Sequence, residues 1–303
     1  MKNKLVILMV ILLFILCGCS QQQKADVAPV VESQWPSSDK QIHTYKEFPL
    51  TSDESNVAAE YPQLVFAHVA LDDVFLYEIR PEAAINAPMA IFLHEQGTNK
   101  DECLEMAFSC AQAGYFCVLM DLPGHGERLS TQTLQAIEVV TEGSADIDLI
   151  LEFYRLSRYA DSSRFGLLGI SMGGSVAYHY AAFGEKMPAL LLVCSAEADF
   201  AELYDKGSLV QGKEQPSTWD AETFRAYCKT CNPMDHLDRL CEIPMLSIYG
   251  SQDSVVNIDS IHSLAERMSA AGKARFMFLE HENHEVTKYL QPYILPMLGQ
   301  CLK

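Results

Sequence analysis

Six short runs of apolar residues recur along the chain, each followed by polar or glycine-rich sequence. They lie within APMAIFL, YFCVLMD, RFGLLGI, ALLLVCS, MLSIYG and ARFMFLE, at residues 87–93, 115–121, 164–170, 189–195, 245–250 and 274–280. Each run has the length of a strand, and its apolar residues are mostly continuous, which indicates burial on both faces. This pattern is typical of a parallel sheet that is covered by helices on both sides.

Segments with helical spacing separate these runs. One ends at Gly114, one spans residues 145–158, and one, GGSVAYHYAAFG, begins two residues after the third run. Upstream, QLVFAHVA and DVFLYEIRP flank Leu71-Asp72, which predicts an antiparallel hairpin. The sequence therefore predicts an α/β fold with a mostly parallel, doubly wound sheet of about eight strands.

Residues 44–303 are assigned to this single domain, with residues 196–243 as a small lid insertion of short helices. The amino-terminal part differs in character. Two lysines precede twelve uninterrupted apolar residues, which is too short for a spanning helix and predicts a signal peptide over residues 1–18. The polar residues 19–43 predict a flexible tether.

The segment LCGC, residues 16–19, resembles a bacterial lipobox. That resemblance implies cleavage before Cys19 and lipidation of this cysteine, so the protein is expected to be exported and anchored to the outer face of a membrane. An uncleaved membrane anchor is the alternative. In both cases the domain lies outside the cytoplasmic membrane.

The chain carries 40 acidic and 22 basic residues, a formal net charge of −18. Such a surface repels phosphate backbones, so nucleic acid is not expected as a partner. Ten cysteines are present, and Cys228 and Cys231 form a CxxC whose roles as a disulfide, a metal half-site or neither stay open. Because no second CxxC follows, no metal site is predicted.

Ser171 lies in GISMG, between the third apolar run and the helical segment that follows it. A G-x-S-x-G sequence at a strand-to-helix turn predicts a nucleophilic serine, because the strained turn projects the hydroxyl and requires small neighbours. The alternative is a purely structural turn. The helix that starts after Ser171 would direct its first N–H groups at a reacting oxygen.

A serine nucleophile needs a base, and the base needs an acid that orients it. Asp253 directly follows the fifth run, with a helix-capping role as its alternative. After the sixth run, FLEHENHEV offers His281 and His284. We assign the base to His284, because its loop position gives the ring more freedom. His281 is expected either to support the reacting residues without touching them or to lie on the surface.

Two N–H donors are expected to bind the oxyanion. One is the N–H of Met172, which directly follows the serine, and the other is assigned to Gln96 in LHEQGTNK. His94 in the same segment is interpreted as a structural hydrogen-bonding residue.

Residues from about 60 to 300 resemble the α/β-hydrolases. The resemblance rests on HEQG, DLPGHGER, GISMGG, YGSQD and ENH, which occur in this order. Many members have glycine where this chain has Glu95, whereas members similar to dienelactone hydrolase carry glutamate there. Those members use a cysteine nucleophile, so lactone cleavage is not implied. Glu95 either contacts the nucleophile, binds substrate or is a solvated carboxylate.

This resemblance implies a serine hydrolase that acts on small carboxylic esters through an acyl-enzyme and needs no cofactor, and the lipobox implies that this hydrolase is lipid-anchored. One alternative is a peptidase or amidase that resembles the prolyl-oligopeptidase group, although this chain lacks the large extra domain of many such relatives. Another is a surface binding protein that has lost activity. The oligomeric state is not predicted.

Overall fold

The structure of the chain is a computed structural model, and it describes residues 31–32, 44–129, 136–200, 221–269 and 272–303. The predicted signal peptide and Cys19 lie outside these residues, as do most of the predicted tether and residues 201–220 of the predicted lid.

Within the described residues, the core of the fold is a ten-stranded sheet in the order β1-β2-β3-β4-β6-β5-β7-β8-β9-β10. The last six strands along the chain are mutually parallel where they pair. These strands are β5 Ala87–Leu93, β6 Phe116–Met120, β7 Ala160–Ile170, β8 Leu190–Cys194, β9 Met245–Gly250 and β10 Ala274–Leu279. Each coincides with one of the apolar runs in the sequence, and β5, β6, β8 and β9 are buried along their whole length.

Four antiparallel strands extend one edge of the sheet: β1 Val31–Glu32, β2 Thr44–Phe48, β3 Leu64–Leu71 and β4 Val74–Pro81. The predicted hairpin joins β3 to β4, with Leu71 opposite Val74 and Asp72 at a positive φ of 53°. The sheet has two more strands than the sequence predicts. The sequence of β2, TYKEF, is half-buried throughout and carries no apolar run that would identify a strand.

Eight α-helices cover the sheet in the described part of the chain. They are α1 Ser52–Glu60, α2 Leu104–Gln112, α3 Ala136–Tyr154, α4 Met172–Phe183, α5 Ala221–Thr230, α6 Leu237–Leu240, α7 Ile258–Ser269 and α8 Gln291–Cys301. Side chains of α1, α2 and α8 pack in one apolar cluster, and those of α3 to α7 pack in another on the opposite face. The fold is therefore doubly wound, as predicted. None of the described helices has the length and apolar character needed to cross a membrane.

The described carboxyl-terminal part of the predicted lid packs against the body of the domain. Cys228 on α5 is fully buried, and Cys231 lies in the same apolar cluster; both thiols are free. The ring of His236 contacts Phe183 at the end of α4, with centroids 4.5 Å apart. This segment therefore contributes to the core on the α4 side of the sheet.

Candidate active site

Ser171 lies in a strained turn between β7 and α4, with φ 49° and ψ −114°. A Cβ on Gly169 would lie 2.4 Å from the Gly173 carbonyl oxygen, and one on Gly173 would lie 2.2 Å from the Leu93 carbonyl oxygen. Real Cβ atoms do not approach other atoms so closely, so both flanking positions require glycine, as the sequence pattern predicts. The turn holds the serine at the carboxyl end of the parallel strands, where sites in open α/β sheets lie.

Three of the predicted residues form one hydrogen-bonded chain. The Ser171 Oγ lies 2.8 Å from Nε2 of His284, and Nδ1 of the same ring lies 2.7 Å from Oδ2 of Asp253. An ionised carboxylate can only accept a hydrogen bond, so Nδ1 carries the proton and Nε2 accepts from the serine hydroxyl. The serine hydroxyl, the imidazole and the carboxylate thus have the mutual geometry that proton removal from the serine requires.

Asp253 is buried as a side chain, and its carboxylate is fully engaged. Oδ1 accepts from the backbone N–H groups of Val255 at 2.8 Å and Val256 at 3.0 Å, while Oδ2 accepts from His284. Burial by itself would raise the pKa of this carboxyl, but these hydrogen bonds outweigh it and hold the pKa of Asp253 below its usual value. The group therefore stays ionised beside the imidazole. Its contacts are those of an acid in the site rather than of a cap on α7.

His281 lies apart from this chain. Its side chain is exposed, its backbone has φ 67°, and its N–H donates to the Ser251 Oγ at 3.1 Å. His281 thus makes the turn after β10 and leaves the contact with Asp253 to His284. The preference for His284 agrees with this geometry.

The segment after β5 lies against the start of α4, because Gly173 contacts both the Leu93 and the His94 carbonyl groups. Met172 is the first residue of α4, so its N–H has no acceptor within the helix. Gln96 is exposed in the turn from Glu95 to Thr98. The two predicted N–H donors therefore belong to adjoining segments.

His94 holds this turn through hydrogen bonds of its imidazole ring. It is fully buried, its Nδ1 donates to the Glu95 carbonyl oxygen at 2.8 Å, and its Nε2 accepts from the Leu122 N–H at 3.0 Å. Burial lowers the pKa of His94, which keeps the ring neutral in this arrangement. The prediction of a structural hydrogen-bonding role for His94 is confirmed.

Glu95 lies at the edge of the site and is half-buried. Burial and the charge of Glu102 raise the pKa of its carboxyl, whereas the nearby His284 opposes this effect. The backbone N–H of Glu95 donates to Glu102 Oε2 at 3.2 Å, and the Thr98 hydroxyl donates to the same oxygen at 2.8 Å. Glu95 therefore lies close enough to the imidazole of His284 for the two groups to interact electrostatically. Glu102 stabilises the turn by accepting these two hydrogen bonds.

A buried ion pair behind this turn was not predicted from the sequence. Lys100 donates from its backbone N–H to Asp121 Oδ1 at 2.9 Å, and from Nζ to Asp121 Oδ2 at 2.7 Å and Glu127 Oε1 at 2.6 Å. Burial would lower the pKa of Lys100, but the two carboxylates outweigh it and raise that pKa. Gly126 is required beside the pair, since a Cβ there would lie 2.3 Å from the Asp121 carboxyl group. The position of Asp121, directly after a buried strand, is the one signal in the sequence that points to it.

Comparison with known proteins agrees with this architecture. The model of the alpha/beta hydrolase family matches residues 91–282, which run from β5 to just before His284. "Putative esterase YitV" of Bacillus subtilis is 28% identical over 106 residues, which cover 33% of this chain and 42% of that protein. The matches to the curated relatives span about half of their lengths or less.

Solved structures share the fold at low sequence identity. A "Putative Dienelactone Hydrolase" from Klebsiella pneumoniae superposes with a TM-score of 0.54 at 17% identity, covering 75% of this chain and 91% of its own. The acylaminoacyl peptidase of Pyrococcus horikoshii gives a TM-score of 0.61 at 18% identity, covering 89% of this chain and 45% of its own. Both likenesses concern the fold, and they agree with the resemblance found in the sequence.

Proposed function

Because the chain belongs to the alpha/beta hydrolase family, we propose that it is a serine hydrolase that cleaves carboxylic esters, with Ser171 as the nucleophile. The observation that carries this proposal is the hydrogen-bonded chain from Ser171 through His284 to Asp253, built on a strained turn. A relative named as an esterase supports the choice of an ester bond.

In the proposed acylation, His284 Nε2 takes the proton of the Ser171 hydroxyl while Oγ attacks the ester carbonyl carbon. Asp253 holds the ring in the productive tautomer and stabilises the imidazolium. The N–H groups of Met172 and Gln96 are assigned to the negative oxygen of the tetrahedral intermediate. The imidazolium then gives its proton to the leaving alcohol as the carbon–oxygen bond breaks, which leaves the acyl group on Ser171.

Deacylation repeats these steps with water. His284 takes a proton from a water molecule that attacks the acyl carbon, and the second tetrahedral intermediate collapses when Ser171 Oγ leaves with that proton. The products are the carboxylic acid and the free enzyme. Every proton in both steps is carried by the imidazole, so no cofactor is needed.

Amide cleavage is the second candidate. The chain shares its fold with an acylaminoacyl peptidase over 89% of its length, although 45% of that chain is matched. The same residues would act in both reactions, because ester and amide hydrolysis use the same acyl-enzyme. The difference lies in the leaving group, an alcohol in one case and an amine in the other.

We propose further that the protein is a lipoprotein. The support is the sequence of residues 1–19, in which a short apolar segment ends at LCGC. Metabolic labelling with an alkynyl palmitate should mark the wild-type chain and leave Cys19→Ala unmarked. A wild-type chain that stays unlabelled and retains residues 1–18 would replace lipidation by the uncleaved anchor, and labelling that persists in Cys19→Ala would exclude Cys19 as the lipidated residue.

One experiment tests the proposed reaction. A fluorophosphonate probe should label the wild type and leave Ser171→Ala unlabelled, and panels of p-nitrophenyl esters and aminoacyl amides should show faster ester turnover. Labelling that survives in Ser171→Ala removes the serine from the mechanism. Faster amide turnover favours the peptidase, and a wild type that neither reacts nor turns over either panel points to a binding protein.

A further inference from the structure

The loop after β8, Ser195 to Glu197, adjoins the candidate site through His284 and the first turn of α4. No role was predicted for it from the sequence. Its first residue, Ser195, has a positive φ of 48°, and the three residues are all buried. A Cβ on Gly174 of α4 would lie 2.5 Å from the Ala196 Cβ. The loop therefore approaches the first turn of α4 as closely as a glycine permits.

Ser195 connects this loop to the histidine. Its hydroxyl donates to the backbone carbonyl oxygen of His284 at 2.7 Å, and its N–H donates to the Ile248 carbonyl oxygen at 2.9 Å. The hydroxyl thus holds the backbone of the residue whose ring lies between Ser171 and Asp253. A positive φ is unfavourable for serine. The loop therefore holds Ser195 in an unfavourable backbone conformation while its hydroxyl makes this contact.

Glu197 connects the same loop to the segment that follows Asp253. Its Oε2 accepts from the Asn257 N–H at 3.2 Å, and its Oε1 accepts from the Ser260 hydroxyl at 3.0 Å at the start of α7. Oε1 also accepts from the N–H groups of Ala198 at 3.0 Å and Asp199 at 2.9 Å. Four donors from two segments therefore converge on one buried carboxylate.

Two further hydrogen bonds fasten the loop to the rest of the site. The Ser175 hydroxyl on α4 donates to the Glu197 carbonyl oxygen at 2.8 Å, and the Tyr249 hydroxyl on β9 donates to the Ala196 carbonyl oxygen at 3.0 Å. The loop thus contacts the helix that starts at the serine, the strand that leads to the aspartate, and the histidine itself.

We propose that Ser195 and Glu197 are positioning residues that hold His284 and the Asp253 segment in register with Ser171. The inference rests on the proposed function, since positioning has a meaning only if these three residues react. It extends that function to two residues that touch no reacting atom. Their effect is on the geometry of the hydrogen-bonded chain, where displacements of about 1 Å change rates strongly.

The charge of Glu197 supplies a readout that distinguishes positioning from stability. Burial raises the pKa of Glu197 to about 7, although its hydrogen-bond donors oppose the rise. The titratable groups that face it are Tyr178 on α4 and Tyr249 on β9. Asp199 on its own loop contacts it through the backbone N–H, and the Asp199 carboxylate accepts from the Asn232 side chain instead. Because the pKa is raised above its usual value in the folded state, the stability that protonation of Glu197 contributes is present at low pH and is lost as pH rises through about 7.

Positioning predicts the opposite dependence for the rate. A proton on Glu197 removes an acceptor site and loosens the Asn257 and Ser260 contacts, so turnover should fall as pH drops through about 7 while this group favours folding. The ionisation of Glu197 should therefore contribute to the acid limb of the wild-type kcat/KM profile near pH 7.

The first test compares two variants of Ser195. Ser195→Ala removes the hydroxyl and keeps the strain of the positive φ, whereas Ser195→Gly removes the hydroxyl and relieves the strain. Both should lower kcat and the rate of fluorophosphonate labelling on the order of 10-fold, with KM within about 2-fold of the wild type. A Ser195→Gly variant with wild-type kcat would show that the hydroxyl has no positioning role.

The second test changes Glu197. Glu197→Gln should lower kcat on the order of 10-fold and remove the contribution of Glu197 from the acid limb. Ser260→Ala removes one donor and leaves the carboxylate in place, so it should raise the pKa of Glu197 and move the acid limb to higher pH. Ser260→Ala therefore still tests the role of Glu197 if Glu197→Gln does not fold. A wild-type pH profile in Ser260→Ala, together with wild-type kcat in any folded Glu197→Gln, would overturn the role of Glu197.

Asp148→Asn is the matched control. Its carboxylate accepts from the Tyr180 hydroxyl at 2.7 Å near the far end of α4, so the variant should lose stability and keep the wild-type acid limb. Ser171→Ala separates the two levels of the proposal. If it still hydrolyses esters, the proposed function fails; if it is inactive while the Ser195 and Glu197 variants match the wild type, only the positioning inference fails.

Discussion

Gly250 and Asn283 are in direct backbone contact at the end of β9. A Cβ on Gly250 would lie 2.0 Å from the Asn283 carbonyl oxygen. The Gln252 N–H donates to the Glu282 carbonyl oxygen at 2.9 Å beside this contact. The loop that carries His284 therefore rests on the loop that carries Asp253, and glycine at 250 sets the distance between them.

We expect Gly250→Ala to displace the histidine loop and lower kcat/KM on the order of 100-fold, because a shift of about 1 Å separates the imidazole from its partners. Ester turnover and thermal unfolding are the measurements. Gly272→Ala is the control: a Cβ there meets nothing within 4 Å, and its φ of 73° costs stability alone. Equal rates in the two variants would contradict this role of Gly250.

The two histidines after β10 should differ sharply in activity. His284→Ala removes the ring that contacts Ser171 and should lower kcat about 10⁴-fold, the upper range for a general base. His281→Asn should keep most of the activity, since asparagine tolerates the positive φ of this turn and the exposed ring lies outside the hydrogen-bonded chain. Ester kinetics at a fixed pH decide the matter. A reversed order would move the base to His281.

Removing Lys100 should destabilise the fold strongly, because it leaves the charge of Asp121 buried and unpaired. Lys100→Met leaves the Asp121 carboxylate buried without its cation, which costs about 3–5 kcal/mol in the free energy of unfolding. Lys273→Met breaks an exposed pair with Glu242 and should cost less than about 1 kcal/mol. Urea denaturation of both variants measures the difference. Similar losses would show that burial does not govern the Lys100 pair.

The sequence predicts the parallel strands well because buried strands have continuous apolar residues that no solvent-exposed element shares. It places α3 less accurately: the helical repeat is clear from residue 145, whereas the helix begins at Ala136. Gly143 interrupts the pattern there. A Cβ at this position would lie 3.1 Å from a Leu122 side-chain carbon, so the glycine serves close packing rather than a helix end.

The candidate site can be predicted from the sequence because its residues follow parallel strands, whose carboxyl ends lie close together. Ser171, Asp253 and His284 follow three different parallel strands, and such positions converge at one edge of the sheet. Ser195 and Glu197 also follow a strand, but their partners are backbone groups of distant loops. A one-dimensional pattern does not identify such partners, because any residue supplies a carbonyl oxygen or an N–H.

His179 on α4 should make the fold sensitive to acid. Its ring is buried and stacks on Phe183, with centroids 4.7 Å apart, and its Nδ1 has no hydrogen-bond partner among the described residues. Burial lowers the pKa of His179 to about 4. Because the pKa of His179 is lower in the folded state than in the unfolded state, the neutral ring contributes to stability at a pH above the usual pKa of histidine. That contribution is lost as pH falls toward 4.

We therefore expect His179→Phe to reduce the loss of unfolding free energy between pH 7 and pH 4, by on the order of 3 kcal/mol. Urea denaturation of the wild type and the variant across this range measures the effect. Phe183→Leu is the control: it weakens the stacking and keeps the titrating ring, so it should lower stability at pH 7 and retain the wild-type dependence on pH. If His179→Phe instead keeps the full acid sensitivity, the proton that destabilises the fold binds to another group.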